Sequence, residues 1–406
     1  MKDAVDRADA VALARALAVR PLWSGVARAS DVIDFKPRML LHAGPPITDV
    51  REMAEPVKSS ALMAICHEGW ADDVEAADRL LRSGGVRLEP AQDHAAAIPL
   101  ADVLSPGMPV LVVEDAGGSG LCAYSTINGG NGPVMRVGLR DQAVVERLHW
   151  IRDVFAPQLS QALQGGSIDM IDVADQALMA GDDCHGRTVA GSLIIRDLLL
   201  EKAPASCISE DARAFLDTSA AFFLNPWMAS LKLMARAAEG VDGSGYVTAL
   251  GGNGKQFGLQ ISAQPRRWFV VPATAPFIPG RADLLAHSSG AVGDSAIVDA
   301  FGCGAMAARA YAPQTWERVE QVCHERDQVF PTELLKEIHP AFHRAHALRT
   351  GLSVAHVQAL GQTPVISIGV LDLAGRQGRL DGGILFSPKA PFEAAWHELE
   401  KHHAAA

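Results

Sequence analysis

Apolar positions along the chain follow two rhythms. Between residues 141 and 240 they recur at three- and four-residue spacing, as in Leu148, Ile151, Val154 and Phe155, then Ile168, Ile171, Ala174 and Leu178, then Ala190, Leu193, Ile194 and Leu198. That period predicts helices. On both sides, short runs of β-branched and apolar residues are bounded by Gly and Pro, which predicts strands. Those before the helical stretch are 38–43, 110–113, 122–127 and 134–137; those after it are 246–250, 257–262, 268–271 and 364–371. Helical patterns at 50–66, 71–81, from Gly293 to about Arg309, at 315–330 and at 332–347 alternate with these runs. The expected fold is therefore mixed α/β (α+β). It comprises an N-terminal α/β domain over 1–140, a helical region over 141–240 and a C-terminal α+β domain over 241–406. The start of the chain reads as a helix and a Pro21 turn, 375–383 as a Gly- and Arg-rich loop, and 401–406 as a frayed tail.

The helical rhythm breaks once, at Gly181-Asp-Asp-Cys-His-Gly-Arg187. Two carboxylates, a thiol, an imidazole and a guanidinium crowd between two apolar helices. Such a knot must satisfy its own hydrogen bonds or serve something that binds there. A carboxylate of Asp182 or Asp183 beside His185 would fix its tautomer and raise its basicity, a general-base arrangement. Arg187 could grip a carboxylate or phosphate in two-point fashion. The plainer alternative is an ion-pair network at a helix junction.

Two Gly-Asn-Gly loops echo each other, 128–132 and 251–255. Glycines let backbone N–H groups converge on an anion, and Asn tolerates left-handed backbone. Asn128, Asn131, Gly132, Asn253, Gly254 and Lys255 are candidate binding residues, with Arg136 just beyond the first loop. Ordinary β-turns are the competing explanation. Asp294 and Ser295 open a helix, where free N–H groups favour an anion or where they are simple caps. His42 follows a strand end, Glu68 could serve as an acid or a helix-end charge, and Asn225 is a lone polar residue in an apolar run. Neither nucleotide-binding glycine fingerprint is present, and no nucleophile elbow supports covalent hydrolysis.

Composition narrows the field. Of 406 residues, 49% are hydrophobic and 20% charged, as in a globular protein. A net charge of −11 argues against nucleic acid or an anionic membrane as partner, so an anionic substrate would need a local basic pocket. The six cysteines form no C-x-x-C pair, which suits reduced thiols in a cytoplasmic setting. No secretory leader pattern or membrane-span run is read, and no metal or organic cofactor is expected.

Several blocks in one order carry a family resemblance: Leu41-His-Ala-Gly-Pro-Pro-Ile47, His67-Glu-Gly-Trp70, Glu146-Arg-Leu-His-Trp150, Gln176 to Arg187, Phe222-Phe-Leu-Asn225, Arg267-Trp-Phe269 and Gly293-Asp-Ser-Ala-Ile297. The chain resembles the YlbE-like family of bacterial proteins. Some members of that family are large subunits of oxamate carbamoyltransferase in anaerobic allantoin breakdown. Against the family pattern, Asp183 stands for Glu, Gly186 for Asn, Gly129 for Glu and Gly252 for Arg. A Gly-Thr-Pro-Thr-Gly-Ile-Asp block has become Arg349-Thr-Gly-Leu-Ser-Val-Ala355, and a His-Lys pair is missing at Asp372-Leu373. The resemblance implies a divergent member, with an altered substrate or dependent on a partner subunit. Its expected activity is carbamoyl transfer to a small anionic nitrogen compound, with carbamoyl phosphate as a candidate donor and an oligomer as the working form. The alternatives are a non-catalytic ligand-binding subunit and an amidohydrolase that uses water.

Overall fold

The computed structural model describes residues 1–204 and 207–405. Their mixed α+β fold is built around one buried helix, Leu224–Ala237, of whose 14 residues twelve are buried. A helix that is apolar all round has no face to give to water, so it is covered on every side. Lys232, fully buried within it, is satisfied by Glu239 Oε1 at 3.1 Å and the Thr248 carbonyl at 3.4 Å. Fully buried Trp227, Met228 and Leu233 each contribute roughly 1.5–3 kcal/mol of apolar burial.

Two antiparallel sheets flank this helix. One has the order Cys122–Thr126, Pro109–Asp115, Pro21–Arg28, Ile168–Asp169. The other has the order Gln264–Pro272, Gln256–Ile261, Val247–Asn253, Val292–Gly293. All seven residues of Val247–Asn253 are buried, as a strand covered on both faces requires. A smaller sheet pairs Met39–His42 in parallel with Arg87–Pro90 and antiparallel with Val103–Leu104. A hairpin, Val365–Leu371 with Arg379–Phe386, packs beside the segment that starts at Asp294. One hydrophobic core joins Val5, Trp23, Phe155, Trp227, Leu250 and Phe392. No helix among the described residues is long and apolar enough to cross a membrane.

Several elements differ from the periodicity. Pro21 begins a strand rather than a turn, and 134–137 is a 3-10 turn, Met135–Val137, ended by Gly138 at φ 74°. The stretch 332–347 is irregular rather than helical, with a short strand Glu337–Ile338. Pro340 removes a helical donor there. The stretch 379–383 belongs to a strand, and the last helix, Ala390–Ala405, runs through residues expected to fray. Ahead of Pro157 the helix Gln142–Trp150 widens into a π-turn, Ile151–Phe155, then resumes as Ala156–Leu163. Pro157 cannot donate to the carbonyl four residues back, and the wider turn makes room for its ring.

The Ala-rich stretch after Gly293 is not one helix. It runs Asp294–Ala296, Ile297–Ala300, a break, then Ala305–Tyr311. The break has a specific cause: a Cβ on Gly304 would lie 2.1 Å from Asp299 Oδ1. That oxygen accepts the Ala305 N–H at 2.7 Å, so Asp299 caps the next helix from the end of the preceding one, across the break.

Candidate functional site

The loop 182–188 joins the helix Met170–Met179 to the helix Val189–Lys202. Asp183, fully buried, holds it together. Its Oδ1 accepts the N–H groups of His185 (2.7 Å) and Arg187 (2.9 Å), and its Oδ2 accepts the Thr315 hydroxyl (2.7 Å). This grip stabilises Cys184 in left-handed backbone, φ 65°, which a non-glycine residue rarely adopts. Asp182 accepts the Gly191 N–H at 2.9 Å and so caps the following helix. Burial pushes its pKa above the ordinary carboxylate value, while Gly191 and Arg187 pull it down.

The imidazole was expected to lean on Asp182 or Asp183; it leans on Asp299. His185 Nδ1 lies 2.6 Å from Asp299 Oδ2, with both side chains buried. The other Asp299 oxygen accepts the N–H groups of Ala305 (2.7 Å) and Ser367 (3.2 Å). With that oxygen occupied, Oδ2 is left to accept Nδ1–H. This assigns the tautomer with its lone pair on Nε2, which makes no hydrogen bond among the described residues. Burial pushes Asp299 up to about 6, against the pull of His185. Arg187 pairs with Asp182 at 3.7 Å, and its side chain is 39% exposed. The loop thus offers a proton acceptor at Nε2 and, two residues on, a partly exposed cation of the kind that grips an oxyanion.

Two more predicted residues join this loop through a short relay. Thr188 and Ser192 hydroxyls both donate to the Ala220 carbonyl at 3.0 Å, and Gly191 packs on the Phe223 ring. Two residues further, Asn225 donates its side-chain N–H to the Asn128 carbonyl at 2.9 Å. Asn128 in turn points its amide at Asp102 Oδ2 (3.4 Å) and Thr126 Oγ1 (3.3 Å). Since their Nδ2 groups are committed to acceptors, Asn128 Oδ1 and Asn225 Oδ1 are buried acceptors without a partner among the described residues. Asp102, pushed up to about 6 by burial, accepts the Thr126 hydroxyl at 2.7 Å.

The other predicted residues lie in separate surroundings. Asp294 ties three elements: its Oδ1 accepts Gly44 N–H and Gln92 Nε2–H (both 2.8 Å), and its Oδ2 accepts Ile98 N–H (3.0 Å). Ser295 is buried beside it. His42 donates to the Ala43 carbonyl (2.8 Å), and burial pushes its pKa down to about 4, which keeps it neutral. Asn253 donates to the Pro45 carbonyl and accepts the N–H groups of Lys255 and Gln256, the signature of a turn. Gly254 sits at φ 84° in that turn, Lys255 is exposed, and a cavity of only about 50 Å³ lies beside them. Asn131 and Gly132 are exposed on an outer loop held by Arg147. Glu68 accepts Ser105 Oγ–H and Gly107 N–H, both at 2.6 Å, and lines a cleft of about 560 Å³ with His67, Arg28 and Arg152. That cleft is larger than any other described, yet the His185–Asp299 pair is not among its walls; the chemistry favours the pair, because a carboxylate orients its imidazole and none bonds to His67 among the described residues.

Gly129 and Gly252, where the resemblance leads one to expect charged residues, leave no room for a side chain. A Cβ on Gly129 would lie 2.4 Å from Ser219 Oγ, and one on Gly252 would lie 2.2 Å from the Ala291 carbonyl oxygen. Asp299 and Ser367 are the neighbours of His185 that periodicity missed. Each is a lone polar residue in an apolar run, Ile297-Val-Asp-Ala-Phe301 and Val365-Ile-Ser-Ile-Gly-Val370, and that was the signal to read.

Comparison with known proteins now bears on these residues. The family model "Oxamate carbamoyltransferase subunit AllG" matches residues 86–295, which include the 182–187 loop and Asp294 but not Asp299. The oxamate carbamoyltransferase subunit AllG of Escherichia coli K12 is 32% identical over 98% of this chain and 98% of its own length. This chain belongs to the AllG family. A second E. coli K12 relative of the AllG-family chain, the uncharacterised protein YahG, is 31% identical over 97% of this chain and 86% of its own length. A solved structure, a conserved protein of unknown function from Enterococcus faecalis V583, superposes with a TM-score of 0.89 at 29% identity over 98% of both chains. The match supports the oxamate carbamoyltransferase part of the sequence resemblance, while the YlbE-like name is not among the matched descriptions.

Proposed function

We propose that this chain is the subunit carrying the proton-transfer site of a cytoplasmic carbamoyl-transfer enzyme, acting on a small anionic amide or ureido compound together with partner subunits. The observation that carries this reading is the buried His185–Asp299 pair, with Nε2 unengaged among the described residues and the partly exposed Arg187 two residues further along the same loop. In the proposed step the acceptor nitrogen attacks the carbamoyl carbon of carbamoyl phosphate and a C–N bond forms. The C–O bond to phosphate breaks, and phosphate leaves with the electron pair. The nitrogen's proton passes to His185 Nε2, and Asp299 stabilises the imidazolium. Arg187 is the proposed grip on the oxyanion. Asn225 and Asn128 are proposed to line the acceptor side through their buried side-chain carbonyls.

A second reading has its own support. Gly129 and Gly252 have no room for charged side chains, which favours a ligand-binding subunit whose chemistry is completed by a partner. The test is reconstitution with the co-encoded subunits, carbamoyl phosphate and oxamate, followed by product analysis. A carbamoylated product with release of phosphate, requiring this chain, supports the proposal. Ammonia release without carbamoylation would make it an amidohydrolase. Binding without turnover in every combination would leave only the second reading.

A further inference from the structure

A chain of net charge −11 collects three guanidinium groups on one side of the hairpin Val365–Leu371 and Arg379–Phe386. Arg136 belongs to the turn Met135–Val137. That turn meets the hairpin where a Cβ on Gly378 would touch Val137 Cγ2 at 3.2 Å. Arg379 lies along the hairpin's glycines: a Cβ on Gly369 would be 3.5 Å from its Nε, and one on Gly382 would be 3.3 Å from its Nη2. Arg318 reaches the same strand from the helix Pro313–Glu325.

The acids nearby neutralise this group only in part. Asp381 forms an ion pair with Arg318 at 3.5 Å and attracts Arg379, whose Nε donates to the Asp381 backbone carbonyl at 3.1 Å. Asp102 directs Oδ2 to Thr126 and Asn128. Arg136 forms no ion pair among the described residues, and its Nε is buried without a hydrogen-bond partner. An unpartnered buried guanidinium N–H is destabilising unless a ligand completes it. Burial and the neighbouring Arg379 together push Arg136 below its ordinary pKa, so each cation makes the other harder to hold without a counterion.

We infer that Arg136 and Arg379 form a clamp for one oxyanion group, a carboxylate or a phosphate, carried by a small ligand. Gly382 leaves the face nearest the Arg379 and Arg318 guanidinium groups without a side chain that would block an anion. The strand beneath it also carries Ser367, whose N–H donates to Asp299 and whose Cβ would lie 3.1 Å from a Cβ on Gly186. One strand therefore ties the clamp to the His185 site. The inference deepens the proposed function by giving the ligand's anionic end a place, but the clamp stands on its own residues.

The test is calorimetric titration of the full chain at constant ionic strength with inorganic phosphate and, separately, with oxamate, using chloride as control. At least one oxyanion should bind. Arg136→Gln and Arg379→Gln should each weaken that binding about 10- to 100-fold, the size of a lost charge-assisted contact. Arg281→Gln, at an exposed arginine paired with Asp283, should bind as wild type does. If Arg136→Gln does not fold, Arg379→Gln decides, since that side chain is exposed. Binding of phosphate alone assigns the clamp to the donor's phosphate, and binding of oxamate alone assigns it to the acceptor's carboxylate. No binding by wild type, or wild-type binding by Arg379→Gln, overturns the clamp. His185→Gln separates the two proposals: it should bind oxyanion normally whatever its effect on turnover, and loss of binding there would place the anion at His185 instead.

Discussion

Asp294 and Asp299 stand five residues apart on one segment and are both fully buried, yet they end in different surroundings. Asp294 takes Gly44 and Ile98 N–H groups and Gln92, all from the protein itself. Its hydrogen-bond chain closes, and its effect is to fasten the loops at 44 and 98 to the second sheet. Asp299 takes two backbone N–H groups on one oxygen and His185 on the other, and the chain then continues to a ring nitrogen with no partner. Burial of a carboxylate is common to both. An unfinished hydrogen bond at the far end is what marks a candidate site.

The contrast can be broken by substitution. Asp299→Ala leaves a buried imidazole and two backbone N–H groups without their acceptor, and should cost about 3–5 kcal/mol in denaturant unfolding. A loss under 1 kcal/mol would show that the pair is not held as described. Asp294→Ala strands three donors and should cost about 2–3 kcal/mol, with no role in turnover beyond the loss of folded protein. Asp294 also gives a pH signature. Burial pushes its carboxyl up to about 7, so the folded state keeps a proton that the unfolded chain releases near 4. Stability should therefore fall as pH rises through that window, and Asp294→Asn should flatten the slope. An unchanged slope in unfolding curves across that range would contradict the assignment.

His67 sharpens the comparison from the other side. Both its ring nitrogens are buried without partners among the described residues, its ring lies tilted against His149 at 4.9 Å, and burial pushes it down to about 4. The folded state resists protonation there, so stability should drop as pH falls from about 6.5 toward 4. His67→Leu should remove that acid limb and stabilise the fold by about 1 kcal/mol at neutral pH, since no hydrogen bond is lost. Destabilisation by His67→Leu would mean that something in the cleft completes the imidazole.

What the sequence disclosed follows from locality. The 182–187 loop stood out because polar chemistry was dense in an apolar rhythm, and Asp183 does organise it through contacts two and four residues away. Asp299 showed itself only as one stray acid in an apolar run, and its pairing with His185 was not legible because the two lie 114 residues apart. The same limit hid Arg136 beside Arg379, which only the turn at Gly378 brings together. The two Gly-Asn-Gly loops looked alike, but Asn253 spends its amide on a turn and on Pro45, while Asn128 is buried and bonded to Asn225. Spacing cannot separate those fates, because both satisfy the same local backbone rules. Helices were misread at 332–347 and after Gly293 where Pro340 and the Asp299 cap override periodicity.

The most direct measurement is turnover of His185→Gln in the complex with its partner subunits, per folded molecule. Glutamine keeps a side chain able to donate to Asp299 but cannot accept a proton at neutral pH. Turnover should fall about 10²- to 10⁴-fold, with oxyanion binding intact. Turnover within a factor of about three of wild type, far below that range, would contradict a proton-transfer role for His185.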